Sequence, residues 1–156
     1  MGTRTIAYRI SDEGIQSYLA GPESAGGEDV ENSVEIDKAR AGIHLALAGA
    51  ASDVGLPLGF LDAAACERID YAGEAEVWFL RSRTVLHVTQ ALEGVDLDQS
   101  ILAMPEDIFS TVDTYPFASD DRPFDAKDYL LEHFSALAAF LRQTANAGLG
   151  VMFVEA

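Results

Sequence analysis

The chain has 156 residues, of which 49% are hydrophobic and 23% are charged, and its formal net charge at pH 7 is -16. This length suits one compact domain with a sizeable core, and the composition is too hydrophobic for a disordered chain. A negative field of this size repels nucleic-acid phosphate and anionic lipid, so we expect no direct binding to DNA, RNA or a membrane surface.

The cysteine content and the N-terminal residues bear on the compartment. The single cysteine, Cys66, excludes an internal disulfide framework, and one thiol does not build a structural zinc site. The first residues, MGTRTIAYRIS, lack the apolar run of a signal peptide. No stretch approaches the roughly eighteen apolar residues that a membrane helix needs. These features predict a cytoplasmic protein.

The N-terminal third predicts a strand, a helix, a loop and a second helix. TIAYRI alternates apolar and polar residues like a half-buried strand, and Ser11 with the two acidic residues after it starts a helix that ends at Gly21. Residues 22–33 are rich in glycine and acidic residues, which predicts a mobile acidic surface loop. Apolar residues then recur at helical spacing, which predicts a helix from Glu35 to Gly49.

The middle of the chain is harder to interpret. LDAAACERI is typical of a short Ala-rich helix, and EVWFL of a buried strand. RSRTVLHVTQALEG contains β-branched residues that favour a strand, but Val85, Val88 and Leu92 keep helical spacing, so we predict a helix. Asp96 and Gln99 resemble a capping pair, and Pro105 is suited to start the short helix EDIFSTV.

The C-terminal third predicts the longest helix and a last strand. Asp125 is the expected N-cap of this helix, which ends between Asn146 and Gly148. LGVMFVE is apolar enough to lie in the centre of a sheet. The fold class is therefore α+β: one domain over residues 1–156, with a small, mostly antiparallel sheet packed by several helices. Its three predicted strands are the N-terminal strand, EVWFL and the C-terminal strand.

The polar residues of VEIDKARAGIHLALAG are the first candidates for a site. In a helix Arg40 and His44 lie one turn apart and Asp37 almost two turns before His44, so the three share a flank while Lys38 points elsewhere. Such a trio can bind an anion or position the charged group of a partner. Alternatively, Asp37 caps the helix, Arg40 lies along its edge, and His44 makes one hydrogen bond at the core boundary. The pattern alone favours the structural alternative.

Other polar groups give weaker signals. His44, His87 and His133 show no ligand spacing, and the small apolar residues before Cys66 indicate a buried, inert thiol rather than a nucleophile. The acidic stretch SDDRPFDAKD lacks the order of an EF-hand loop. Dinucleotide, P-loop and nucleophile-elbow motifs are absent. We therefore predict no catalytic residue, no metal ligand and no cofactor, and favour a non-enzymatic protein.

Several blocks of the sequence resemble the YfbM-like family, a bacterial domain of unknown function (domain of unknown function 1877). VEIDKARAGIHLALAG is similar to the family segment D-K-x-W-x-x-x-H-x-x-L-x-G, and MGTRTIAYRIS, GLPLGFLDAA, the Tyr115-Pro116 pair and the C-terminal helix and strand follow in order. The resemblance covers nearly the whole chain and implies an α+β fold, a bacterial cytoplasmic protein and no particular reaction. Asp37, Lys38, His44 and Tyr115 match motif positions, whereas Arg40 replaces the Trp.

Two functions remain open from the sequence. The first is a non-enzymatic acidic binding protein whose partner is a basic protein surface, because the charge would steer such a partner towards it. The alternative is a small-molecule or ion-binding domain, with or without catalysis, whose pocket includes Asp37, Arg40, His44 and Tyr115.

Overall fold

The structure, a computed structural model, describes most of the chain: residues 4–21, 32–49, 54–70, 75–112 and 116–156. Most of the predicted acidic loop, residues 22–31, lies outside the described residues, and so does the candidate Tyr115.

Within the described residues, five antiparallel strands form one sheet, in the order β2-β1-β5-β4-β3. The strands are β1 (Thr5–Ile10), β2 (Ser33–Glu35), β3 (Glu67–Asp70), β4 (Glu76–Leu80) and β5 (Gly150–Glu155). The three predicted strands are confirmed, and the C-terminal one is central as expected from its apolar run. The two strands that the sequence did not reveal are the short edge strands β2 (SVE) and β3 (ERID), each of which contains one apolar residue and no fully buried residue.

Six α-helices are present in the described residues: α1 (Asp12–Ala20), α2 (Arg40–Ala48), α3 (Ser82–Glu93), α4 (Leu97–Leu102), α5 (Ile108–Thr111) and α6 (Pro123–Asn146). Two of these helices begin at a residue whose side chain caps the helix N-terminus. The Ser11 hydroxyl accepts a hydrogen bond from the Gly14 N–H, and the Asp96 carboxylate accepts one from the Gln99 N–H, as the sequence predicts. None of these helices is both long enough and apolar enough to cross a bilayer.

The ambiguous segment after EVWFL is the helix α3, and a distant residue satisfies its N-terminus. The side chain of the cap residue Arg81 makes no capping hydrogen bond to the backbone of α3. Instead Asp12, in α1, accepts from the backbone N–H of Ser82 (2.8 Å) and from its hydroxyl (2.7 Å). These hydrogen bonds from Ser82 lower the pKa of Asp12. One carboxylate therefore ties the start of α1 to the start of α3.

Four predicted helix boundaries are wrong, and one of them is the start of α5, which begins at Ile108 rather than at Pro105. The helix α2 begins at Arg40 rather than Glu35, because Glu35 pairs with Ile6 of β1 as part of strand β2. The Ala-rich helix is only the 3₁₀ turn Ala63–Ala65, and the residues that follow form β3. The long helix α6 begins at Pro123, so Asp125 is not its N-cap; it lies in the first turn and accepts from the backbone N–H of Arg122.

Two apolar layers cover the sheet. On one face the main core packs helices against strand residues that include Ala7, Trp78, Leu80, Val151 and Phe153. On the other face Ile15 of α1 packs against a smaller cluster that contains Val77, Phe79 and Met152. Successive residues of β4 alternate between the two layers, which is why EVWFL contains four consecutive buried side chains. The chain is one α+β domain. Of its described candidate residues, Asp37 and Lys38 lie in the turn between β2 and α2, and Arg40 and His44 lie in α2.

Candidate functional site

Asp37 and Lys38 form a turn between β2 and α2, and the long helix α6 is anchored to this turn. The Tyr129 hydroxyl donates to Oδ2 of Asp37 (2.8 Å) and accepts from the backbone N–H of Lys38 (3.1 Å). Asp37 has a φ of 47°, which non-glycine residues rarely adopt, and its carbonyl accepts from the N–H of Thr5 (3.0 Å). Asp37 is therefore a turn residue, and the predictions that it lies on the helix or caps it are wrong.

The surroundings of Asp37 favour its charged form. The hydrogen bond from Tyr129 lowers the pKa of its carboxyl group, with smaller contributions from Lys38 and from Arg4, whose Nε lies 3.7 Å from Oδ1. About a third of the Asp37 side chain is exposed. A carboxylate that accepts a hydrogen bond and faces cations is a structural acceptor at neutral pH, not a proton donor.

Arg40 is committed to the fold. Its guanidinium group donates to the Leu61 carbonyl (2.8 Å) and forms ion pairs with Glu76 (2.9 Å) and Glu155 (2.8 Å). The same group lies over the Trp78 ring, 4.4 Å from its centroid, and only 18% of the side chain is exposed. The prediction that Arg40 merely lies along the helix edge is wrong, because three segments of chain converge on it. A residue with this set of contacts is not free to bind an anion.

His44 is the remaining member of the predicted trio. Burial lowers the pKa of its imidazole; the charge of Asp62 opposes this effect and the charge of Arg40 adds to it. Its Nδ1 atom is buried and makes no hydrogen bond within the part of the chain that the structure describes. The single hydrogen bond expected at the core boundary is therefore not made by this nitrogen. A neutral ring with an unpaired buried nitrogen is a weak hydrogen-bond site that an additional group can satisfy.

The structure thus separates the residues that the helical pattern places on one flank. Asp37 contacts Tyr129 and Arg4, while Arg40 and His44 remain one turn apart on α2 and face the loop that contains Asp62. Tyr129 is not among the site residues predicted from the sequence. The sequence feature that could have indicated its role is a tyrosine on the apolar stripe of a long helix. The hydroxyl of such a tyrosine is partly buried and needs a hydrogen-bond partner.

Cys66 has the properties of an inert thiol. Its Sγ donates weakly to the carbonyls of Asp62 (3.4 Å) and Phe60 (3.7 Å). Burial raises the pKa of the thiol to about 12, and the charge of Asp62 acts in the same direction. The thiolate that a nucleophile or a metal ligand requires is scarce at neutral pH. In residues 4–156, apart from the undescribed gaps, no three histidine, cysteine or acidic side chains are grouped to hold a metal ion.

A surface groove that the sequence does not predict lies between α4 and α6. It has a volume of about 290 Å³ and is lined by Leu102, Met104, Glu106, Arg122, Pro123 and Phe124. We call it the α4–α6 groove. Phe124 is 64% exposed and Leu102 46% exposed. The available signal was the run RPF before a helix, in which the proline starts the helix and turns the next side chain towards solvent.

The fold and the chain can be compared with known proteins. The model of a family described as a domain of unknown function, DUF1877, matches residues 1–154. The solved structure of YfbM, a protein of unknown function from Escherichia coli, is similar at 15% sequence identity, with a TM-score of 0.73; the match covers 98% of this chain and 99% of that one. At this identity the likeness shows the fold alone. No curated protein matches the chain significantly. Because the family model covers nearly the whole chain, this protein belongs to the DUF1877 family.

Proposed function

We propose that this chain is a non-enzymatic binding protein of the bacterial cytoplasm whose partner is a basic protein surface. The observation that carries the proposal is the charge: 26 acidic residues against 10 basic ones. The bacterial setting is supported by the origin of the similar structure, which comes from E. coli. The surroundings of three polar residues also support a non-enzymatic role, because Arg40 and Asp37 have structural partners and Cys66 is held as a thiol.

The charge of the chain acts on a partner before contact. A field of one sign steers an oppositely charged protein and raises its association rate, and added salt screens that attraction. Several of the Lys and Arg residues are paired with carboxylates, as Arg40 is with Glu155 and Arg81 with Glu67, and the excess of acidic residues keeps the net field negative. A binding protein of this kind gains association rate and selectivity for basic partners.

We expect the immobilised protein to capture, from a bacterial lysate at low salt, a basic partner that elevated salt releases. The captured protein is then purified, and its Kd for the chain is measured at about 0.05 M and about 0.5 M NaCl. A partner that neutralises several carboxylates should bind about tenfold or more weakly at the higher salt, because screening removes most of the long-range attraction.

An unrelated immobilised protein of similar net charge controls for non-specific adsorption. A partner that binds both proteins equally is a general polycation binder and does not support the proposal. Recovery of no salt-sensitive partner, or a purified partner whose Kd is the same at both salt concentrations, contradicts it.

A second candidate function, binding of a small molecule or an ion, is supported by His44. Its unpaired buried Nδ1 offers one hydrogen bond to a ligand beside Asp62. Tyr115, the other proposed wall of this pocket, lies outside the described residues. Asp37 accepts a hydrogen bond from Tyr129 instead of lining this pocket, so the proposed binding site consists only of the surroundings of His44.

A thermal-shift screen with divalent ions and anionic metabolites tests this alternative. A ligand held by His44 should raise Tm of the wild type by about 5 °C or more near saturation, and should leave His44→Ala unchanged. The matched control is His87→Ala, since His87 is exposed on α3. The alternative fails if no compound raises Tm, or if a compound stabilises His44→Ala as much as the wild type.

A further inference from the structure

The α4–α6 groove is lined by large apolar side chains that are exposed to solvent. Phe124 is the second residue of α6, and 64% of it is in contact with solvent; Leu102, which lines the same groove, is 46% exposed. Single exposed apolar residues are ordinary, but adjacent ones that line a concave surface mark sites of interaction. Met104 and Pro123 extend the apolar lining of this groove.

The groove is held in place before any partner arrives. Pro123 is buried at the first position of α6, and the Asp125 side chain accepts from the backbone N–H of Arg122 at the helix start. Lys127 lies 3.6 Å from Asp98 and so joins α6 to α4, and its Nζ is 5.4 Å from the centroid of the Phe124 ring. A fixed wall reduces the side-chain ordering that binding costs.

The surroundings of the groove are strongly negative. Residues 96–107 and 116–128, which include its lining, contain eight carboxylates and two cations. Both cations are paired, Arg122 with Asp125 and Lys127 with Asp98. Glu106 lines the groove itself, and no ion pair of Glu106 is found among the residues that the structure describes. Basic groups beside the groove would meet net negative charge.

We propose that the α4–α6 groove is a docking site for a basic segment of a partner protein that inserts one large apolar side chain between Leu102 and Phe124. This inference rests on the proposed function and gives it a place and a chemistry. The groove volume of about 290 Å³ is just below the range for small-molecule pockets, roughly 300–1,000 Å³, and suits a single side chain. Aromatic anchors with basic neighbours are typical of such contacts.

A synthetic peptide tests the proposal with the whole chain. The probe is a blocked ten-residue peptide in which Arg and Lys alternate with Ala around one central Trp. A matched peptide has Ala in place of the Trp. Both are titrated into the isotopically labelled protein and followed by the amide shifts of its NMR spectrum, and Kd is obtained from the same titration.

The expected result is a set of shifts centred on Leu102, Met104 and Phe124, with binding at least about fivefold weaker for the peptide without Trp. Phe124→Ser should weaken the binding of the Trp peptide by a similar factor. It should not unfold the protein, because the Phe124 side chain is largely exposed. The matched control is Leu86→Ser on α3, which removes a 46% exposed apolar side chain from another surface and should leave Kd unchanged.

The outcomes separate this inference from the function on which it rests. One outcome is salt-sensitive binding whose NMR shifts lie away from the groove, or binding that Phe124→Ser and Leu86→Ser weaken equally. It contradicts docking in the groove but is compatible with a basic partner that binds elsewhere. Binding that is equal for the peptides with and without Trp removes the apolar anchor and overturns the inference as well. If neither peptide binds even at low salt, both the groove and the basic partner are contradicted.

Discussion

Replacing Arg40 with alanine is expected to lower the free energy of unfolding by about 3 kcal/mol, the largest effect of any change proposed for this chain. Removing one partner of a fully buried ion pair costs about 3–5 kcal/mol. The Arg40 side chain is 18% exposed and its partners Glu155 and Glu76 are 22% and 47% exposed, so these ion pairs are only partly buried and the expected loss lies at the lower end of that range. Urea denaturation followed by the fluorescence of Trp78, the single tryptophan, measures the change.

The expected loss of stability on replacing Arg40 comes from two glutamates that are paired on adjacent strands of the sheet. Glu76 of β4 is directly opposite Glu155 of β5, and like charges in such a pair destabilise a sheet. The guanidinium group of Arg40 lies between them, with ion pairs of 2.9 Å to Glu76 and 2.8 Å to Glu155. Removing it leaves two carboxylates in repulsion, the Leu61 carbonyl without its donor and the face of Trp78 uncovered.

Two variants make this result specific. Arg40→Lys keeps the charge but loses the planar fork and the stacking on Trp78, so it should restore only part of the stability. Arg81→Ala removes a more exposed arginine, paired with Glu67, and should cost about 1 kcal/mol or less. If Arg40→Ala unfolds at the same urea concentration as the wild type, Arg40 does not hold the strands and becomes available again as a binding residue.

Tyr129→Phe is expected to destabilise the protein by about 2 kcal/mol at neutral pH. Its hydroxyl is the only group exchanged, so the ring contacts with Phe117 and His133 are kept. The loss comprises a hydrogen bond to the Asp37 carboxylate and one from the Lys38 N–H, and a hydrogen bond to a charged group contributes about 1.5–3 kcal/mol. Equilibrium urea unfolding of both proteins measures the difference.

The destabilisation by Tyr129→Phe should shrink at low pH. The hydrogen bond from Tyr129 lowers the pKa of Asp37 in the folded state, so its contribution is complete above the unfolded value and is lost as the pH falls through the folded pKa. The difference between the two proteins should therefore be smaller at about pH 3 than at about pH 7. At about pH 3 the chain is also below its isoelectric point near 4.2 and carries net positive charge.

Asp37→Asn supplies the matched control for this pair. If Tyr129 acts through the carboxylate, combining Asp37→Asn with Tyr129→Phe should cost less than the sum of the two single changes. Additive effects, or a destabilisation by Tyr129→Phe that is the same at both pH values, would show that the hydroxyl stabilises the fold without Asp37.

The candidate site shows which inferences a helical pattern supports. Arg40 and His44 lie one turn apart as the spacing predicts, because both are inside α2. The position of Asp37 was predicted wrongly. Its spacing from Arg40 is compatible with a helix and equally compatible with the turn that Asp37 forms, so the sequence pattern does not distinguish the two. Arg40 replaces the Trp that the family resemblance expects, and its planar guanidinium group stacks on Trp78 as an aromatic ring would.

The sequence by itself determined the α+β class, the central position of the C-terminal strand and the helix starts at Ser11 and Asp96. These features depend on apolar periodicity and on hydrogen bonds between residues three apart, both of which are local. Only the tertiary structure decided the roles of the polar residues. Asp37 is held by Tyr129, which lies 92 residues away, and Arg40 joins β4 to β5. Such partners are set by the packing of distant segments, and no local pattern encodes them.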